Sequence, residues 1–193
     1  MSSEDESIIH LEARRAWNGS ALLFIIGPGA AGKSTLGRAL ATHLQRKLID
    51  LDDVFLERVG DISLFIREAG YEAYKARNSV LARMLVNELT SPTVFVTSSG
   101  FLTTDNPPEI LAANEALLKT GYSLSLLPTT APEDAVRILV ARQMTRTFNA
   151  GIAKEETRAR ERFGIYKAAG DLLICSTANP DIVARQLMPH LTG

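Results

Sequence analysis

A three-layer α/β fold, with a five-stranded parallel sheet covered by helices on both faces, is predicted by three observations. Short apolar or β-branched runs alternate along the chain with longer amphipathic stretches, which is the pattern of repeated strand–helix units. The first such run, Ala21 to Ile26, is apolar at every position, as a strand buried on both faces requires. A glycine-rich turn joins that run to the helical stretch behind it.

The elements follow in order. Met1 to Asn18 is polar and reads as a leader (residues 1–18), with a short helix around Ile8 to Trp17. A single domain then occupies residues 19–193. Ala21 to Ile26, bounded by Gly19 and Gly27, is the first strand. Ser34 to Gln45 reads as a helix, Lys47 to Leu51 as a short second strand, and Leu64 to Leu89 as helical segments broken near Gly70. Thr93 to Thr97, β-branched and set off by Pro92, is the third strand. Asn106 to Thr120 (helix), Ser123 to Leu127 (strand), Pro132 to Thr147 (helix) and Leu172 to Ser176 (strand) continue the alternation, and a final helix starts near Pro180. Alternation of this kind makes a parallel sheet with helices on both faces.

Composition narrows the function. At 193 residues the chain has room for one such core and a lid, and 46% hydrophobic against 22% charged residues describes a folded protein. The net charge of −1 provides no basic field, so neither nucleic acid nor an anionic membrane is an expected partner. No apolar run is long enough to span a bilayer, and Glu4, Asp5 and Glu6 do not open a secretory signal, so a cytoplasmic protein is expected, and a monomer is the expected assembly. The single cysteine, Cys175, follows Leu172 to Ile174 and reads as a buried structural thiol.

Gly27 to Ser34 reads G-P-G-A-A-G-K-S, which fits the phosphate-binding pattern G-x-x-x-x-G-K-[ST] and lies where that loop must lie, between a buried strand and a helix. Backbone N–H groups of Gly29, Ala30, Ala31 and Gly32 can surround a phosphate, and the helix N-terminus adds positive potential. Lys33 then reaches the β and γ phosphates, Ser34 offers its hydroxyl to Mg²⁺, and Thr35 lies next to the α phosphate. The loop establishes nucleotide binding without saying what becomes of the nucleotide.

Asp50, Asp52 and Asp53 stand at the C-terminal end of the second strand, which opens onto the ligand crevice of such a sheet. Strand alternation puts Asp50 and Asp52 on one side, where one can order a metal's waters and the other accept a proton from a hydroxyl. Asp53 is the best candidate to cap the next helix.

From these residues onward the sequence resembles shikimate kinases, of the nucleoside-monophosphate-kinase-like P-loop fold, over about Leu22 to the C-terminus. The family carries D-x-D after the second strand and G-E-x-x-F-R in its substrate-binding helices. Here Asp50-Leu51-Asp52 is followed by Gly60 and by Gly70-Tyr71-Glu72-Ala73-Tyr74-Lys75. The resemblance implies substrate-binding helices over about residues 53–90, Asp52 as acceptor ligand and base, Asp50 at the metal's waters, and Lys75 in place of a carboxylate-binding arginine. An ammonium cannot reproduce the two parallel hydrogen bonds of a guanidinium, and Arg77 is the alternative. Where the family has G-G-G after the third strand, this chain has Ser98-Ser99-Gly100, whose two side chains alter the acceptor pocket.

Arginines 137, 142, 146, 158, 160 and 162 crowd the stretch that reads as a mobile lid, about residues 142–162, with Phe148 to Lys154 as its hinge. By resemblance Arg146 is the lid arginine, with Arg142 the alternative, and some of the six are only surface ion pairs. Arg162, four residues before Tyr166, is implied to bind the acceptor's acid group. Arg137 is implied to pack on adenine, and Cys175 to Pro180 resembles the adenine loop, with Asn179 and Pro180 at its end. The implied activity is transfer of the γ-phosphoryl of ATP, with Mg²⁺, to shikimate, giving shikimate 3-phosphate on the route to aromatic amino acids. A kinase of the same fold acting on another small alcohol or acid, or a ligand sensor without turnover, are the alternatives.

Overall fold

The computed structural model describes residues 9–145 and 151–192. Its elements are β1 (His10–Ala13), β2 (Leu22–Ile26), α1 (Lys33–Leu44), β3 (Lys47–Asp50), α2 (Leu51–Arg58), α3 (Ile62–Ala69), α4 (Tyr71–Asn87), β4 (Thr93–Val96), α5 (Pro108–Leu118), β5 (Tyr122–Leu127), α6 (Pro132–Met144), α7 (Ile152–Ala168), β6 (Leu172–Cys175) and α8 (Pro180–Leu191). The strand order is β1-β6-β5-β2-β4-β3, parallel throughout except for β1, which runs antiparallel to β6.

One expectation is corrected. The sheet has six strands rather than five, because the stretch expected to hold a short leader helix forms β1. Ile9, Leu11 and Ala13 alternate with His10 and Glu12, a period of two that suits a strand, and Ile9 and Leu11 pack on the core. β1 covers the edge of the apolar β6, which would otherwise present unpaired backbone groups. Trp17 then packs edge-on against Tyr122 with ring centroids 5.0 Å apart, and Arg46 lies over the Trp17 ring. α7 is a full helix that takes in the second half of the stretch read as lid. Its Glu155, Ala159, Phe163 and Tyr166 share a buried face at helical spacing, a signal hidden by the charges around them.

β2 sits in the middle of the sheet and divides the core. Leu23 and Ile25 face one layer with α1, α6 and α8, while Leu22, Phe24 and Ile26 face the other with α2, α4, α5 and α7. Chain order diverges on the two sides of β2, toward β4 and β3 on one side and β5 and β6 on the other, so the crevice at a topological switch point opens at the C-terminal end of β2. Cys175 is buried at the end of β6, and its thiol is pushed up to about 11 by burial.

The helix behind the crevice lies unusually near the sheet at Gly37. A Cβ there would come within 2.5 Å of Val96 Cγ2 and 3.3 Å of Leu48 Cδ1. Val96 is stiff at χ1 and buried in β4, so it cannot step aside. Gly37→Ala is therefore expected to destabilise the fold by about 1–3 kcal/mol through overpacking, despite the roughly 1 kcal/mol that alanine gains in helix propensity. Urea denaturation checks this; a more stable variant would mean that α1 shifts without cost.

Candidate active site

The chain turns from β2 into α1 through Gly27 to Gly32, and local sterics explain the glycines. A Cβ on Gly27 would lie 2.6 Å from the carbonyl oxygen of Leu126 on the neighbouring strand. Gly32, the N-cap of α1, has φ 101°, a left-handed conformation that costs a side-chain-bearing residue energy. The first turn of α1 thus begins at the loop's concavity, where the positive end of a helix stabilises an anion. Lys33 starts the helix and folds back over the loop, its Nζ donating to the Pro28 carbonyl at 3.0 Å.

This loop is the floor of a groove with two lobes. One, of about 490 Å³, is walled by Lys33, Ser34, Asp52, Ser99, Arg158 and Arg162 among others. The second, of about 500 Å³, is walled by Ala31, Arg142, Ser176, Asn179 and Pro180 among others. Ala30, Gly32 and Thr35 line both. Such volumes suit small ligands.

Asp50 and Asp52 come together by a route other than strand alternation. Asp50 ends β3 and is itself the N-cap of α2, its Oδ1 accepting from the Asp52 N–H at 3.1 Å, while Asp52 occupies the first helical turn. The capping role expected of Asp53 therefore belongs to Asp50; Asp53 is exposed and faces Arg38 at 3.7 Å. Asp50 is buried, and no donor among the described residues reaches its Oδ2. A buried carboxylate oxygen without a donor fits a cation or the water a cation carries. Among the described residues no cluster of three or more His, Cys, Asp or Glu could hold a metal alone. A cation here would share its coordination with phosphates, as Mg²⁺ does. Asp52 lines the first lobe, and burial raises its pKa against the opposing pull of Lys33. Tyr74 donates to Asp52 Oδ1 at 3.4 Å.

The wall opposite comes from the loop after β4. Ser99 is held on both sides by α7: its Oγ accepts from Arg162 Nη1 at 3.2 Å, and its carbonyl accepts from the Tyr166 hydroxyl at 3.0 Å. Tyr166 is fully buried, which pushes its phenol up to about 12. Ser98 is also buried but borders a smaller cavity behind this wall, whereas Ser99 and Gly100 reach the main lobe.

Lys75 is not brought to the main lobe. Its side chain is 3% exposed, and its Nζ pairs with Glu72 Oε1 at 2.7 Å and Asp105 Oδ2 at 3.7 Å while donating to the Asp105 carbonyl. The lysine ties α4 to the loop before α5. Arg158, one of the arginines read into the lid, lines the lobe, and so do Tyr71, Tyr74 and Gln143, which no motif singled out as site residues. Tyr71 and Tyr74, three apart on one helix, carried the only available signal, two phenols within the motif that holds Lys75.

At the other lobe, Arg137 is 75% exposed and pairs with Asp134 at 2.9 Å, so the structure does not bring it to the groove. Arg142, further along α6, lines the lobe and reaches the Ala30 carbonyl at 3.4 Å. Asn179 caps α8 by accepting from the Asp181 N–H at 2.9 Å, with Pro180 behind it at the first helical position. Arg160 forms an exposed pair with Glu133, a surface contact of small energy. Arg146 and most of the expected hinge lie outside the described residues; Gly151 is the N-cap of α7.

Residues 29–192 match the model of the family described as shikimate kinase. The chain belongs to the shikimate kinase family. A shikimate kinase of Legionella pneumophila (strain Corby) is 37% identical over 105 residues, which cover 53% of this chain and 58% of the relative. A pentafunctional AROM polypeptide of Komagataella phaffii is 34% identical over 107 residues, 55% of this chain and 7% of that polypeptide. The chain therefore spans little more than half of the first of these relatives and a small part of the second. Among solved structures, the shikimate kinase from Acinetobacter baumannii in complex with shikimate superposes with a TM-score of 0.69 at 23% identity, covering 86% of this chain and 90% of the other. The APS kinase CysC of Mycobacterium tuberculosis superposes at 0.55 with 14% identity, covering 94% and 100%. At these identities the likeness shows a shared P-loop kinase fold.

Proposed function

We propose that this member of the shikimate kinase family transfers the γ-phosphoryl group of ATP to a hydroxyl of shikimate, giving shikimate 3-phosphate and ADP. The observation that carries the reading is a single lobe that puts the phosphate loop with Lys33, the carboxylate of Asp52 and the guanidinium of Arg162 around one space. Asp52 accepts the proton of the attacking hydroxyl, for which a carboxyl raised by burial is better matched to neutral pH than an exposed one. Lys33 and the N-terminus of α1 stabilise negative charge on the transferring group. Arg162, already oriented by Ser99, holds the acceptor's carboxylate. Ser34 and Asp50 are the residues that would hold Mg²⁺, which supplies charge neutralisation across the phosphates when bound. The lobe with Arg142, Asn179 and Pro180 takes the nucleoside end of ATP. The acting unit is a monomer in the cytoplasm that engages neither nucleic acid nor membrane; among the described residues no helix is long and apolar enough to cross a bilayer.

The test is ADP release by the purified protein with ATP and Mg²⁺, in the presence and absence of shikimate. A shikimate-dependent rate of about 1 per second or more is expected. One observation favours a second acceptor of the same class: the cation of Lys75 is spent on Glu72 and Asp105, and Ser99 adds a side chain to the wall. Absence of a shikimate-dependent rate, with transfer to another small hydroxy acid, would establish that reading instead.

A further inference from the structure

We propose that Tyr71 and Tyr74 of α4 form a positioning pair that spans the acceptor lobe and sets both of its polar ends, an inference that rests on the proposed phosphoryl transfer and deepens it. The two rings are stacked, with centroids 5.8 Å apart and planes at 27°. Both line the lobe. Their hydroxyls meet different groups, Asp52 in one case and Arg162 in the other. Tyr74 donates to Asp52 Oδ1 at 3.4 Å, which occupies one carboxylate oxygen and leaves Oδ2 to meet the acceptor hydroxyl. Tyr71 accepts from Arg162 Nη2 at 3.4 Å, while Nη1 of the same guanidinium donates to Ser99 Oγ at 3.2 Å. Two fixed contacts on separate nitrogens determine the plane of a guanidinium, and with it the direction from which a carboxylate can be gripped.

Further contacts brace the pair. Tyr74 is 8% exposed and packs edge-on against Phe55 with centroids 5.2 Å apart. Lys75 Nζ lies 5.2 Å from the centroid of the Tyr71 ring, a cation–π distance, so the buried lysine steadies Tyr71 and acts on the site through it. Gly100 leaves the space the Tyr71 hydroxyl needs, since a Cβ there would lie 3.0 Å from that oxygen. A proton acceptor and a carboxylate ligand are thereby held at a set separation by one rigid helix, as productive geometry requires.

The two phenols make separable predictions, read by steady-state kinetics with ATP, Mg²⁺ and the acceptor that wild type turns over. Tyr74→Phe is expected to lower kcat about tenfold with acceptor KM within about twofold, because a bond to an ionised group is lost at the proton-accepting end. Tyr71→Phe is expected to raise acceptor KM about tenfold with kcat within about twofold, and to add nothing further in an Arg162→Lys background. Thermal melts of both variants accompany the kinetics. Lowered melting temperatures with wild-type kcat and KM would reduce the pair to packing and overturn the proposal, as would one kinetic signature shared by both variants. Failure of the proposed function shows differently, as no acceptor-dependent ADP release by wild type. In that event crystal structures of the variants decide: Asp52 and Arg162 unmoved in Tyr74→Phe and Tyr71→Phe would overturn the proposal, and their displacement would support it.

Discussion

Lys33→Ala is expected to lower acceptor-dependent ADP release by about 10³-fold or more. The magnitude follows from where the amine sits. Lys33 is the first residue of α1, its Nζ lies 3.0 Å from the Pro28 carbonyl, and the loop beneath it has only backbone dipoles for an anion. Phosphoryl transfer leaves little covalent chemistry to the protein, so its contribution is position and charge. Removing the one ammonium group on the loop takes away the charge and leaves the cradle. Nucleotide binding, followed by a fluorescent ATP analogue, should weaken less than turnover falls. A rate within tenfold of wild type would mean that arginines of the opposite wall, Arg158 and Arg162, already neutralise the transferring group.

Asp52→Asn is expected to lower kcat about 10²- to 10⁴-fold while leaving ATP affinity within a few-fold of wild type. The asparagine keeps the shape and can still accept from Tyr74, so the change isolates the loss of a basic oxygen. Two neighbouring features argue that the fold survives: the cap of α2 uses the backbone N–H of residue 52 and the side chain of Asp50, neither of which changes. Burial already disfavours charge on Asp52, so a neutral amide costs nothing in desolvation. Isothermal titration with a non-hydrolysable ATP analogue and a kinetic assay separate the two effects. Wild-type turnover in this variant would remove Asp52 from the role of proton acceptor.

The phosphate loop and the acids after the second strand were both legible in the residues, for different reasons. The loop is a local motif: glycines, lysine and serine act through backbone conformation and short-range reach, all of which are written within eight positions. The acids were read correctly as neighbours but by the wrong geometry. Asp50 and Asp52 meet because one caps the helix that carries the other, and the break from strand to helix between them has no strong composition signal. Arg137 and Lys75 show where reading by motif stops. Both lie on helices placed as expected, yet one side chain turns to Asp134 in solvent and the other is buried with its Nζ on the exposed carboxylates of Glu72 and Asp105. Which face of a helix meets the crevice depends on its rotation, which packing sets, and on competing partners: an acid three residues back for each of the two, and for Lys75 also Asp105 from the loop before α5.

The sequence by itself determined an α/β core, a glycine-rich phosphate-loop motif at the end of its central strand, and the acids that flank it. Each rests on local periodicity or on spacing within one turn, so short-range sterics suffice. Only the tertiary structure decided that the N-terminal segment closes the sheet as β1, that Arg142 rather than Arg137 walls the second lobe, and that Tyr71 and Tyr74 stand between Asp52 and Arg162. These depend on contacts between residues far apart in the chain, such as Tyr71 with Arg162 and His10 with Cys175, whose pairing is set by the packing of whole layers.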